Sequence, residues 1–157
     1  MAGSVIAWER IGELGELRGF VREGPPPHYA FEILQDEDGR AWTLRVPLAQ
    51  DASLRRVLAA VAGRLQHLHD IEPDEEGCRR LAGELLGGED ELVALVMSGQ
   101  GQERFALWRR ERLGSGWSWT LDVVFAPLGD AAELCRLIEA ALAQAREQMR
   151  TGTLPQG

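Results

Sequence analysis

His67-Leu-His69-Asp70 puts two imidazoles and a carboxylate, ligand types that suit zinc, within four positions. Residues two apart on a helix sit about 200° apart, so one ion cannot draw both histidines from a regular helix. They read as surface histidines near a helix C-terminus, where a protonated imidazole suits the dipole. His28 falls in a predicted strand, and no metal centre is expected. The nucleophiles are as sparse. Five serines lack a Gly-x-Ser-x-Gly elbow, and neither Cys78 nor Cys135 has a histidine near it in sequence. All seventeen basic residues are arginine. The absence of lysine removes Schiff-base chemistry, a phosphate-loop lysine and a kinase-type strand lysine together. Gly99-Gln-Gly101 lacks the third glycine and the following helix of a dinucleotide fingerprint. No catalytic residue and no cofactor is expected, and the reading leans away from an enzyme.

One surface pattern remains. Between Glu91 and Phe125 lie three of the five tryptophans and the clearest alternation in the chain. With Gly114-Ser115 as a two-residue turn, Arg112 faces Trp117, Arg110 faces Trp119 and Trp108 faces Leu121. Guanidinium stacked on indole contributes about 0.5–1 kcal/mol per exposed pair, and Trp and Arg dominate interface hot spots. Trp108, Arg110, Arg112, Trp117 and Trp119 are therefore the candidate partner-binding residues. The competing reading makes the apolar end of this face core, roofed by arginines. A three-residue turn would exchange the faces and break the row.

The elements that would position this row follow from periodicity. Ser4–Val21 is open between helix and strand, with Leu17–Val21 better as a strand, and residues 24–27 form a proline connector. His28–Val46 reads as a hairpin about Asp38-Gly39, with Ile33 opposite Leu44, Phe31 opposite Val46 and Glu32 opposite Arg45. A helix from Asp51 to about His69 carries Leu54, Leu58, Val61 and Leu65. A second helix is predicted from Pro73, burying Cys78, Leu81, Ala82 and Leu85, with Gly87-Gly88 as its stop. Strands follow at Glu91–Met97, Arg104–Arg112 and Trp117–Phe125. Asp130-Ala-Ala-Glu133 then opens a long amphipathic helix to Arg150 as a capping box. No internal repeat is evident.

At 157 residues with net charge −8, the chain suits one domain over residues 1–150 and a disordered tail over 151–157. The expected fold is α+β: a single antiparallel sheet of five to six strands with three helices packed on one face. The open face, or an edge at Glu91–Met97, is then free for a partner. The acidic balance argues against nucleic acid and anionic membranes. With no signal-like run or membrane-spanning stretch, the expectation is a cytoplasmic, soluble protein with two free thiols.

Two resemblances bear on function. Gly87-Gly-Glu-Asp-Glu-Leu92, ahead of Val93–Val96, resembles the Gly-Gly-Asp-Glu-Phe hairpin of diguanylate cyclases. It departs from that motif in an extra acid, a missing phenylalanine and the absence of lysine. The order of elements resembles the small dimeric chaperones of type III secretion, without a shared motif and with no residue carried over. The functional expectation is a non-catalytic interaction module with a protein partner, or a homodimer. The alternative is a small-molecule or nucleotide-binding domain, enzymatic or not, with its pocket between helices and sheet.

Overall fold

A computed structural model describes residues 4–11, 15–23, 27–34, 41–85, 90–99, 102–113 and 116–152. Strands β1 (Ser4–Ile11), β2 (Gly15–Arg22), β3 (His28–Leu34) and β4 (Ala41–Pro47) form one antiparallel meander. Helix α1 (Asp51–Gln66) follows, then a second meander of β5 (Cys78–Leu85), β6 (Glu91–Gly99), β7 (Gln102–Leu113) and β8 (Gly116–Pro127). Helix α2 (Ala131–Arg150) ends the described elements. The protein is thus α+β with two four-stranded sheets and two helices, in place of one sheet under three helices.

The two halves are one design written twice. In the first, Val5 pairs with Phe20 and Ala7 with Gly19, leaving Ile6 as an extra residue in a β-bulge. In the second, Arg80 pairs with Leu95 and Ala82 with Ala94, leaving Leu81 in the same place. Both bulged residues are buried, each 2% exposed. Each fourth strand ends in a proline, Pro47 or Pro127, with φ and ψ of −55° and 143° or −54° and 143°. A single 3-10 turn then feeds each helix. Most inner-face residues correspond: Leu17 to Leu92, Val21 to Val96, Tyr29 to Phe105, Phe31 to Leu107, Leu44 to Val124 and Val46 to Ala126, every one buried, whereas Ile33 stands where the second half has Arg109.

The helices cross over. α1 leaves the first sheet and packs on β5 and β6, whereas α2 leaves the second sheet and packs on β1 and β2. β4 lies beside β8, and the two helices touch each other, which is the contact pattern of an approximate twofold. Across the join, Arg109 Nη1 donates to the Arg45 carbonyl at 3.0 Å. Arg56 of α1 donates to Glu84 of β5 at 2.6 Å. Its counterpart on α2, Arg136, bonds Glu133 and also feels Glu9, the counterpart of Glu84 on β1. The apolar stripes of both helices and the inner faces of both sheets merge into a single core. Each fully buried large aliphatic or aromatic side chain in it contributes roughly 1.5–3 kcal/mol.

Several sequence expectations change. The predicted helix from Pro73 is a turn followed by strand β5. Asp74 Oδ1 accepts from the backbone N–H of Glu76 and of Cys78, each at 2.9 Å, and Gly77 turns the chain at φ 84°. The spacing of Cys78, Leu81, Ala82 and Leu85 looks helical because the bulge at Leu81 breaks the two-residue period of a strand. With β5 in place, β6 is an interior strand, so the edge expected at Glu91–Met97 does not exist. Ser4–Val21 resolves into the pair β1–β2. The hairpin is present with its predicted inner face, but Ile33 pairs with Trp42, Phe31 with Leu44 and Ala30 with Arg45, a slip of two residues. An even slip keeps every side chain on its face, so the apolar pattern alone cannot detect it. The Asp38-Gly39 turn and the tail beyond Gly152 lie outside the described residues. Asp130 holds the N-cap position of α2 without a side-chain cap bond, and Glu133 is paired with Arg136.

Burial also sets the response to alkali. Cys135 is pushed up from 9.0 to about 12 by burial and by Glu139, and Tyr29 from 10.0 to about 12 by burial and by Asp51. Both folded-state values lie above the unfolded ones, so folding favours the neutral forms. That contribution is complete below pH 9 and is lost as pH rises from 9 to 12. Thermal melts should accordingly hold steady up to pH 9 and fall beyond it. Tyr29 is the only tyrosine, so tyrosinate absorbance in the folded protein should have its midpoint near 12.

Candidate partner-binding face

The inner face of the second sheet is consumed by the core, so the outer face is the one left to act. It carries Val93 and Leu95 of β6 and Ala106 of β7, which form a second, separate cluster. Cys78, Met97 and Trp108 pack against it, partly buried. In a strand these positions alternate with Leu92, Ala94, Val96, Phe105 and Leu107 of the main core, which fixes them on the opposite side. The second sheet therefore has buried apolar residues on both faces.

Three of the corresponding positions in the first sheet are charged instead, and one stays apolar. Repetition equates Val93 with Arg18, Leu95 with Phe20, Met97 with Arg22 and Trp108 with Glu32. Arg18 is paired with Glu16 at 3.2 Å, and the Arg22 guanidinium lies 4.8 Å from the centre of the Phe20 ring. The apolar cluster of the second outer face is itself covered, with Val93 2%, Leu95 9% and Ala106 0% exposed, whereas the first carries the exposed Val5 where the second has Arg80. The backbone has the same bulge and the same inner pattern in both, so the fold does not demand this difference.

The arginine–tryptophan row lies along this sheet. β7 and β8 pair with Leu113 opposite Gly116, Arg112 opposite Trp117 and Arg110 opposite Trp119, which is the register of a two-residue connection. Beyond Arg110 the register shifts, and Trp108 pairs with Val123 in place of the expected Leu121. On the other side β7 pairs without interruption with β6, Arg110 opposite Glu91 and Trp108 opposite Val93. Positions 108, 110 and 112 therefore continue one face of β7. The irregularity falls on the β8 side, where an aromatic-rich strand gave no hint of it in sequence.

Among the described residues Glu91 is the carboxylate buried on this face, 9% exposed. Arg80 of β5 holds it through both nitrogens, at 2.5 and 3.5 Å. To reach it the guanidinium lies over Gly83, where an added Cβ would stand 2.1 Å from Arg80 Nη2. A side chain at position 83 would displace the outer end of Arg80 from this position. Sequence reasoning missed this pair because it placed Arg80 and Gly83 on a helix. On the same face the Cys78 thiol is pushed up by burial and by Asp74 and Glu76, which leaves it protonated and a poor nucleophile at neutral pH. His67 Nδ1 lies 3.8 Å from Asp70 Oδ2 with both side chains exposed, and among the described residues no three metal-ligand side chains converge. Residues 86–89 of the Gly-Gly-Glu-Asp-Glu stretch lie outside the described residues, and its remainder enters strand β6.

No known family model matches the chain, and no curated protein is significantly similar to it. No described helix is long and apolar enough to cross a membrane.

Removing Arg80 takes away one of the groups that hold the buried Glu91 carboxylate, at a cost of about 1 kcal/mol. Arg80→Ala and Gly83→Val should each lower unfolding stability by that amount in urea titration. The double variant should lose little more than either alone, because both remove the same contact.

Proposed function

We propose that this chain is a non-catalytic protein-interaction module, of adaptor, chaperone-like or immunity type. Its partner docks on the outer face of the second sheet, around Trp108, Arg110, Arg112, Trp117 and Trp119. The observation that carries the reading is the contrast between duplicates. Where the first sheet has Arg18, Arg22 and Glu32 at outward positions, the second has the covered Val93 and the half-buried Met97 and Trp108. An apolar centre beside arginine and tryptophan positions matches the composition of interface hot spots.

Charge favours one kind of partner. The chain is acidic overall, yet positions 104, 110 and 112 of β7 are arginine, while Arg80 is paired with Glu91. A second copy docked symmetrically would set those arginines against one another, which disfavours a homodimer through this face. The complement is a different protein with an acidic, apolar surface.

Mass spectrometry of co-purifying proteins tests the reading with the wild type, Trp119→Ala and Arg110→Ala. The expected result is a partner retained by the wild type and depleted from both variants. A hot-spot truncation costs about 2 kcal/mol or more, some 30-fold in affinity. Identical partner lists would remove this surface from consideration. A dimer mass in light scattering, lost in Trp119→Ala, would replace the foreign partner with a second copy.

A further inference from the structure

The internal repetition supplies a second comparison, at the opposite end of the core. Tyr29 and Phe105 are equivalent, and both are fully buried with inner-face rings. The ring is what the fold uses. The Tyr29 hydroxyl is an addition, and it has no hydrogen-bond partner among the described residues. A buried hydroxyl without a partner is destabilising relative to phenylalanine at the same place.

The surroundings of this hydroxyl are also polar only in the first half. Asp51 opens α1 where Ala131 opens α2, and Arg55 stands where α2 has Cys135. Arg146, which α2 brings across, stands where α1 has Gln66. Asp51 is bonded to Arg55 at 3.0 Å and more loosely to Arg146 at 3.5 Å. The second half does without all of these, packing Phe105, Ala131 and Cys135 in their place, each at most 3% exposed. Packing does not account for the polar set.

Tyr29, Asp51 and Arg146 line an open cleft of about 500 Å³ between the start of α1 and the end of α2. Tyr29, Asp51, Arg146 and Arg150 supply its polar wall, and Leu48 and Met149 its apolar wall. The phenol stays protonated at any ordinary pH, because burial pushes it to about 12, and so it can only donate to an anionic partner. Arg146 is half-exposed, and its longer bond to Asp51 is the one an incoming anion can share. Arg55 still balances Asp51 when that happens.

We propose that this cleft binds a small amphipathic carboxylate. Its carboxylate accepts from the Tyr29 hydroxyl and pairs with Arg146, and its alkyl body lies along Leu48 and Met149. This site is separate from the sheet face assigned to a protein partner and does not depend on that assignment.

The test is calorimetric titration of the full chain with octanoate, octanol and inorganic phosphate. It is repeated on Tyr29→Phe and Arg146→Gln, each of which puts in the residue that the other half has at the equivalent position. Octanoate should bind the wild type, and each variant should weaken it about tenfold or more, the worth of one charge-assisted hydrogen bond. Octanol and phosphate should bind far more weakly, each lacking one half of the recognised chemistry. Tyr29→Phe should melt at or above the wild-type temperature. Failure of octanoate to bind overturns the proposal. Equal binding to wild type and Tyr29→Phe does so as well, and so does octanol or phosphate binding as tightly as octanoate. A clear fall in melting temperature for Tyr29→Phe would show the hydroxyl to be satisfied within the fold, which also overturns it.

Discussion

Everything in this molecule depends on one burial constraint: neither sheet is covered by the helix that follows it. Each meander presents an apolar inner face, Leu17 to Val46 in one half and Leu92 to Ala126 in the other. A four-stranded sheet with one such face needs a second layer. That layer arrives from across the join, α1 over β5 and β6 and α2 over β1 and β2. The exchange makes one continuous core from two half-cores. It also explains why β4 and β8 can lie side by side without joining the two sheets into one ladder.

What the sequence revealed of this was mostly local. Both helices, β6 to β8 and the inner face of the β3–β4 hairpin can be read from periodicity, because each has an uninterrupted pattern. β5 could not, since its bulge at Leu81 gives Cys78, Leu81, Ala82 and Leu85 the spacing of a helix. That single misreading hid the repetition, for a half read as helix and three strands does not look like a half with four strands. Identity between the halves is sparse as well, and Glu16 with Glu91, Leu17 with Leu92, Val21 with Val96, Pro47 with Pro127 and Arg56 with Arg136 are among the few matches. These matches are set apart by loops of unequal length. The row of arginines and tryptophans was legible because a two-residue connection fixes its register, and the shift beyond Arg110 was not.

The duplication serves as an internal control. Where both halves carry the same residue type, as at the buried bulge or the proline that ends the fourth strand, the fold is speaking. Where they differ while the backbone stays the same, something else is. Two places stand out by that standard: the outer face around Trp108, apolar against Glu32, and the hydroxyl of Tyr29, polar against Phe105. Neither would be conspicuous alone, since a half-buried tryptophan or a buried tyrosine is ordinary in a protein of this size.

The crossed helices also govern the order of assembly on the ribosome. α2 is the last of the described elements to be made, yet it covers the first two strands. The first meander therefore emerges with its inner face bare and stays so until the second meander and α2 have followed. Domain-by-domain completion from the N-terminus is closed to such a chain. Its closing contacts join the two extremes of the described sequence, which makes the final step a long loop closure and the nascent first half a natural client for chaperones.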